Sequence, residues 1–184
     1  MRIKVDIAGT PQGKPAPRFR AVLRKDGRPA LVRYPGKSAE HWERAIYSQL
    51  AEYVPEEPLD EPVAVTAVYR IMRPKSHYGA KGLRPKFEDV RHAQKPDLDN
   101  LNKALDTLTH MGIWRDDARV WCCLAAKIWT IGNPGLDLQI ETGPPEWFNL
   151  MSEAAAVLSH SENQKHKDLA YRIYRFLGMV KPTH

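Results

Sequence analysis

Cysteine is nearly missing from this chain. Its 184 residues include two, Cys122 and Cys123, and a bridge between neighbours demands strained geometry. A disulfide scaffold is thereby excluded, and neither thiol has partners at the spacing of a zinc site. Reduced thiols are the state expected of a cytoplasmic protein. Long apolar runs are missing too: nothing approaches the roughly 18 residues of a transmembrane helix, so no membrane partner is expected. The opening MRIKVDIAGTPQGK lacks the apolar stretch of a secretory signal. There are no internal repeats, which excludes solenoids, and no low-complexity tracts.

What is present suffices for one well-buried core with a small appendage, since 42% of the residues are hydrophobic. Net charge is +6 and unevenly spread. Residues 1–36 carry nine Lys/Arg against Asp6 and Asp26, and residues 73–95 carry seven against Glu88 and Asp89. The remainder is net acidic. Such asymmetry points to an anionic partner, nucleic acid above all; a solvated basic surface is the alternative. In the first region Lys14, Arg18 and Arg20 stand between prolines that pre-order the loop, as a phosphate clamp requires. In the second, Arg73, Lys75, Lys81, Arg84, Lys86, Arg91 and Lys95 are interleaved with Tyr78 and Phe87. That mixture suits a mobile arm on DNA, with the aromatics free to stack on exposed bases.

Periodicity supplies the elements. RIKVDIAG (2–9) alternates as a strand. FRAVLRKDGRPALVRYP reads as a hairpin with Asp26-Gly27 at the turn. KSAEHWERAIYSQLAEYV reads as a helix with Ser38 as N-cap and Trp42, Ile46, Leu50 and Tyr53 as its apolar stripe. PVAVTAVYRIM (62–72) alternates as a strand, whereas 73–95 shows no periodicity. A helix opened by Pro96-Asp97 carries Leu98, Leu101, Leu105 and Leu108 and stops at Gly112. Residues 118–132 and 136–143 read as strands paired through a turn at Gly132–Gly135. Two helices follow, about 146–159 and one capped by Ser161 with Gln164 in capping-box position, ending at Gly178. Trp114 reads as core, and His77, His92 and His110 have no ligand spacing. This order of elements predicts an α+β fold, a sheet packed by helices.

The acids of KPDLDNLNKALDTLTHMGIWRDDARV, Lys95 to Val120, stand apart in this basic chain. Each has a structural explanation. Asp is a favoured N-cap, acids in a first turn complement the helix dipole, and Lys103 follows Asp99 by four residues. Asp116-Asp117 is also an ordinary turn. Together they point elsewhere. The leucines define the buried side, so Asp99, Lys103 and Asp106 fall on another, with Asp97 at the entrance. If the strand after Gly112 returns beside the helix start, Asp116 and Asp117 join them. Clustered carboxylates need a cation, and hard oxygen ligands suit Mg²⁺ or Mn²⁺. Ringed by Lys and Arg, such a cation serves phosphodiester cleavage.

PDLDNLNKALDTLTHMGIWRDDARV closely resembles the central signature of RusA-type Holliday-junction resolvases: D-[LI]-D-N-L, a lysine four residues after the second Asp, then G-x-W-x-D-D. IAGTPQGKPAPRFR is similar to the opening strand and basic loop of that family. The likeness covers roughly residues 1–142. It implies a RusA-like domain with a small mixed sheet over residues 1–143, extended by helices in 144–184. It further implies a homodimeric, Mg²⁺-dependent endonuclease, without organic cofactor, that resolves four-way DNA junctions by paired symmetric nicks in a bacterial or phage-infected cell. Asp97, Asp99 and Asp117 match the family's catalytic carboxylates, Lys103 its essential lysine, and Asp116 the first acid of the pair. The stretch between Lys103 and Leu105-Asp106 is one residue shorter than the family pattern, about 100° of helix, which bears on the placement of Asp117. Alternative readings are a non-catalytic binder of branched DNA and an endonuclease acting on RNA or unstructured DNA.

Overall fold

Alternating apolar residues write the strands and aim their side chains. In the computed structural model residues 1–14, 18–24, 26, 28–34 and 39–176 are described. The expected cap Ser38, the turn residue Gly27, and Leu177 and Gly178 lie outside the described residues, as do the side chains of Arg18, Arg20 and Phe176. β1 (Arg2–Ala8) buries Ile3 and Ile7. β2 (Arg18–Leu23) and β3 (Pro29–Tyr34) form the expected antiparallel hairpin, Arg18 opposite Tyr34 and Leu23 opposite Pro29. α1 (Glu40–Leu50) turns Trp42, Ile46 and Leu50 inward, as their four-residue spacing requires. β4 (Val63–Met72) buries Val63, Val65, Ala67 and Tyr69 by alternation.

The next stretch is more ordered than its lack of periodicity implied. It holds 3-10 turns at Lys75–His77 and Pro85–Phe87 around a small hairpin of β5 (Tyr78–Gly79) and β6 (Gly82–Leu83). The rings of His77 and Phe87 stack at 4.0 Å, and Trp129 meets His77 at 5.2 Å and His92 at 3.9 Å. His77 and His92 are buried. These histidines, which lacked any ligand spacing, are therefore packing residues that anchor the segment, and Phe87 is spent on His77. Short-range periodicity misses such an anchor because its partner, Trp129, is far along the chain.

The helical segment consists of α2 (Leu98–Asn102), a 3-10 turn at Lys103–Leu105 and α3 (Asp106–Met111). β7 (Val120–Thr130) and β8 (Gly135–Thr142) complete a four-stranded mixed sheet in the order β1-β8-β4-β7. β4 and β7 run parallel, Val65 opposite Cys123 and Tyr69 opposite Lys127. The expected pairing of the last two strands with each other does not form. β8 buries Leu136, Leu138 and Ile140 and takes an interior place between β1 and β4. The four residues 131–134 are enough to pass the end of β4, two strand spacings or about 10 Å. Arg70 fixes that crossing, its Nε 3.2 Å from the Asn133 carbonyl, and also pairs with Asp6 and Asp137. At Gly135 a Cβ would stand 2.5 Å from the Ile7 carbonyl oxygen, so no side chain fits.

Trp42, Ile46, Leu50, Leu101, Leu105 and Leu108 share one core with the inner residues of the sheet. The architecture is α+β, as the order of elements implied. The chain divides into two units, Met1–Ile140 and Glu141–His184. In the second, α4 (Glu146–Ser159) and α5 (Gln164–Phe176) meet at Ala155 and Ala170, flanked by Leu158 and Ile173. Asn163, rather than Ser161, caps α5: its Oδ1 accepts the Lys165 N–H at 2.9 Å, while Gln164 turns to Asp168. No helix among the described residues is long and apolar enough to cross a membrane.

Candidate active site

The site begins where the chain enters α2. Asp97 occupies the N-cap position with extended backbone (φ −71°, ψ 144°), and its carbonyl accepts the Leu101 N–H at 3.0 Å. Its carboxylate makes no capping hydrogen bond and stands exposed. The capping explanation for this acid therefore fails. Asp99, in the first turn, is also exposed, with Lys103 Nζ 3.3 Å from its Oδ2. Lys103 reaches the Asn100 side-chain oxygen as well, at 2.8 Å. The Lys103 ammonium, hydrogen-bonded to Asp99, holds that carboxyl below the ordinary carboxylate range. Leu101, Ala104, Leu105, Leu108 and Met111 are buried on the opposite side, so packing presents the acids and Lys103 outward.

Between the two helices the chain tightens into a 3-10 turn at Lys103–Leu105. A 3-10 turn advances about 120° per residue against 100° in an α-helix. Three such residues add roughly 60° over the same number of α-helical residues.

The second acid pair sits past the far end of this segment. Gly112 closes α3 in the left-handed conformation, φ 79°, which a side chain would strain. Ile113 and Trp114 are then buried, Trp114 in the core role expected of it. Asp116 caps the 3-10 turn Asp117–Arg119, accepting the Ala118 N–H at 2.8 Å. Asp117 accepts the Thr109 hydroxyl, and Trp114 Nε1 lies 2.6 Å from Thr109 Oγ1.

The two acid pairs do not converge within one chain. A strand that follows a helix through a tight turn runs back antiparallel, so its head lies beside the helix end. The start of α2 accordingly adjoins the distal half of β7, where Lys127 Nζ reaches the carbonyls of Gln94 at 2.6 Å and Pro96 at 2.8 Å. From Asp97 to Thr109, which holds Asp117, the helical rise is about 18 Å. Among the described residues no three His, Cys, Asp or Glu side chains are grouped to hold a metal. Asp97 and Asp99 alone suit Mg²⁺, which takes one or two carboxylates and fills its other positions with water and phosphate. Asp116 and Asp117 do not join them in the same chain.

Of the basic residues, Lys75, Lys81, Arg84, Lys86, Arg91 and Lys95 are exposed on the segment that runs directly into Asp97. Arg73 is turned to the carbonyls of Phe87 and Glu88. Lys14 lies beside α2, its N–H on the Asn100 carbonyl at 2.8 Å and its Nζ 3.2 Å from Glu43 and 3.9 Å from Asp106. Lys127 was not singled out from sequence. Its signal was a lone charge among the apolar residues of LAAKIWT.

Exposed cations leading into outward-facing carboxylates make a surface for phosphate-bearing substrates, carried on an α+β scaffold. Residues 8–141 match the family model for Endodeoxyribonuclease RusA, and the chain belongs to the RusA endodeoxyribonuclease family. It is thereby a hydrolase whose partner is DNA. Comparison with curated proteins finds no match.

Proposed function

We propose that this protein is a Mg²⁺-dependent endonuclease that resolves four-way DNA junctions by paired symmetric nicks, acting as a homodimer. The observation that carries the reading is the uncapped carboxylate of Asp97. An acid at a helix entrance that forgoes its capping bond, beside Asp99 and Lys103, is free for a cation. Asp97 and Asp99 are the residues that would hold it. A bound Mg²⁺ supplies an activated water and charge stabilisation at the phosphate. Lys103, one helical turn from Asp99, faces the scissile phosphate once DNA is bound and stabilises its developing charge. Lys75, Lys81, Arg84, Lys86, Arg91 and Lys95 hold the backbone, with Lys14, Arg18 and Arg20 as further DNA contacts, while Arg73 braces the segment through the Phe87 and Glu88 carbonyls.

A junction has approximate two-fold symmetry and needs a cut in each of two opposed strands, so two chains about a two-fold axis match it. Asp117 is separated from Asp97 along its own helix. A part for Asp117 or Asp116 at the same cation therefore calls for the second chain. β7 is an edge strand with exposed Leu124 and Ile128, an apolar border suited to self-association.

The test is incubation with a synthetic four-way junction and a matched duplex, with and without Mg²⁺, alongside sedimentation at micromolar concentration. Symmetric nicks in the junction alone, dependent on Mg²⁺, with twice the chain mass, are expected. Junction binding without nicks would favour a non-catalytic binder, and equal cutting of the duplex would remove junction specificity.

A further inference from the structure

Lys127 lies on β7 in register with Tyr69, on the face that the helices cover. A partly buried ammonium on an apolar strand is costly unless its donors are used. Two of the three are used, both on the backbone that precedes Asp97: the Gln94 carbonyl at 2.6 Å and the Pro96 carbonyl at 2.8 Å. Two carbonyls, two residues apart, converge on one cation, so the chain is pinned at two points immediately before the acid. Trp129, the next residue on the same face of β7, packs against His92 with ring centroids 3.9 Å apart and holds the same stretch further back. Asp97 itself is fixed by no capping bond. Its backbone is tied to the helix on one side, through the Leu101 N–H, so how 94–96 is held on the other side shares in placing its carboxylate.

We propose that Lys127 is a positioning residue for the cation-binding carboxylates, clamping the Gln94 and Pro96 carbonyls so that Asp97 stands beside Asp99. It acts through the backbone and touches neither cation nor DNA. The inference rests on the reading of Asp97 and Asp99 as the cation pair. Groups that act through ligands in this way typically change metal affinity by about 10- to 100-fold when removed.

The experiment uses the full chain and three variants. Lys127→Met keeps the apolar stem and loses the donors, Lys127→Arg keeps donors and charge, and Asp97→Asn removes the proposed ligand. Mn²⁺ binding is read without DNA from the electron paramagnetic resonance of the free ion, junction cleavage is followed against Mg²⁺ concentration, and melting temperature is recorded for each variant. Lys127→Met should weaken Mn²⁺ binding by about 10- to 100-fold and raise the Mg²⁺ needed for half-maximal cleavage by a similar factor. Its rate at saturating Mg²⁺ should largely recover, and Lys127→Arg should restore both affinities. Lys127→Met binding Mn²⁺ like the parent, or a folded Lys127→Arg no better than Lys127→Met, would overturn the proposal. Should Lys127→Met not fold, Lys127→Gln keeps two donors without charge, and a folded Gln variant that binds Mn²⁺ as weakly as Asp97→Asn also overturns it. Parent-like Mn²⁺ affinity in Asp97→Asn would instead sink the cation reading itself. Loss in Asp97→Asn with none in Lys127→Met would sink only the role of Lys127.

Discussion

Trp114 Nε1 lies 2.6 Å from Thr109 Oγ1, and the Thr109 hydroxyl donates onward to Asp117. One threonine thus joins a core tryptophan to a carboxylate of the family signature. Replacing Thr109 with Val removes both bonds and leaves a part-buried indole N–H poorly satisfied. The expected cost is about 1–2 kcal/mol in urea denaturation. Thr109→Ser should stay close to the parent, and a Val variant as stable as the Ser variant would show that the relay contributes nothing.

Asp97 separates capping from chemistry. Loss of a capping Asp typically costs about 0.5–2 kcal/mol. Because this carboxylate makes no capping bond, Asp97→Ala should change stability by less than about 0.5 kcal/mol. Cleavage should fall by at least about a hundredfold with junction binding intact or tighter, since a carboxylate without metal repels phosphate. A large stability loss with cleavage preserved would restore the capping role.

Lys103→Ala should disable turnover while leaving the fold in place, because an exposed helix ion pair contributes little. It should also release Asp99. The Lys103 hydrogen bond depresses that carboxyl in the folded state. Its stabilising effect is present above the unfolded pKa and is lost as pH falls through the lower folded value. The carboxyl carbon of Asp99, followed by NMR, should therefore titrate at higher pH in Lys103→Ala. An unmoved midpoint would mean that the pair does not form in solution.

The exposed cations of the 73–95 segment should act on all DNA alike. Each phosphate contact contributes roughly 0.9 to the slope of log K against log salt. Neutralising Lys81, Arg84 and Lys86 together should weaken binding to junction and duplex and flatten that slope. A slope identical to the parent's would remove these three from the DNA contact.

His92 makes the anchor of that segment sensitive to acid. Burial lowers its pKa from the ordinary value of about 6.5, and the charge of Lys127 adds to the effect. The depressed group leaves stability whole above the unfolded pKa. As pH falls below it, the unfolded chain takes a proton that the folded chain refuses, and stability is lost until the folded pKa is reached. The parent should therefore lose melting temperature more steeply than His92→Phe between about pH 7 and 5. Parallel curves would place the imidazole in solvent.

Periodicity alone determined which sides of the elements are buried. Trp42, Ile46 and Leu50, Leu101, Leu105 and Leu108, and Val63, Val65, Ala67 and Tyr69 all lie inside as spaced, with Leu98 and Ile71 partly buried at the margins, because burial of a face is written in local intervals. The outward Asp99 and Lys103, and Gly112 as a helix stop, were legible for the same reason. The family signature could be read because its residues lie close together in the chain.

Strand neighbours were decided only in three dimensions. β8 inserts between β1 and β4, a choice made by the burial of Leu136, Leu138 and Ile140 rather than by the short connection to β7. The meeting of the acids was decided there too. A helix and the strand after it run antiparallel, so Asp117 lands beside Thr109 and the entrance to α2 is left to Lys127. That lysine reaches carbonyls 33 and 31 residues back along the chain. Contacts between backbone atoms so far apart leave no periodic mark, because any residue type supplies the carbonyl and only the fold brings it within reach.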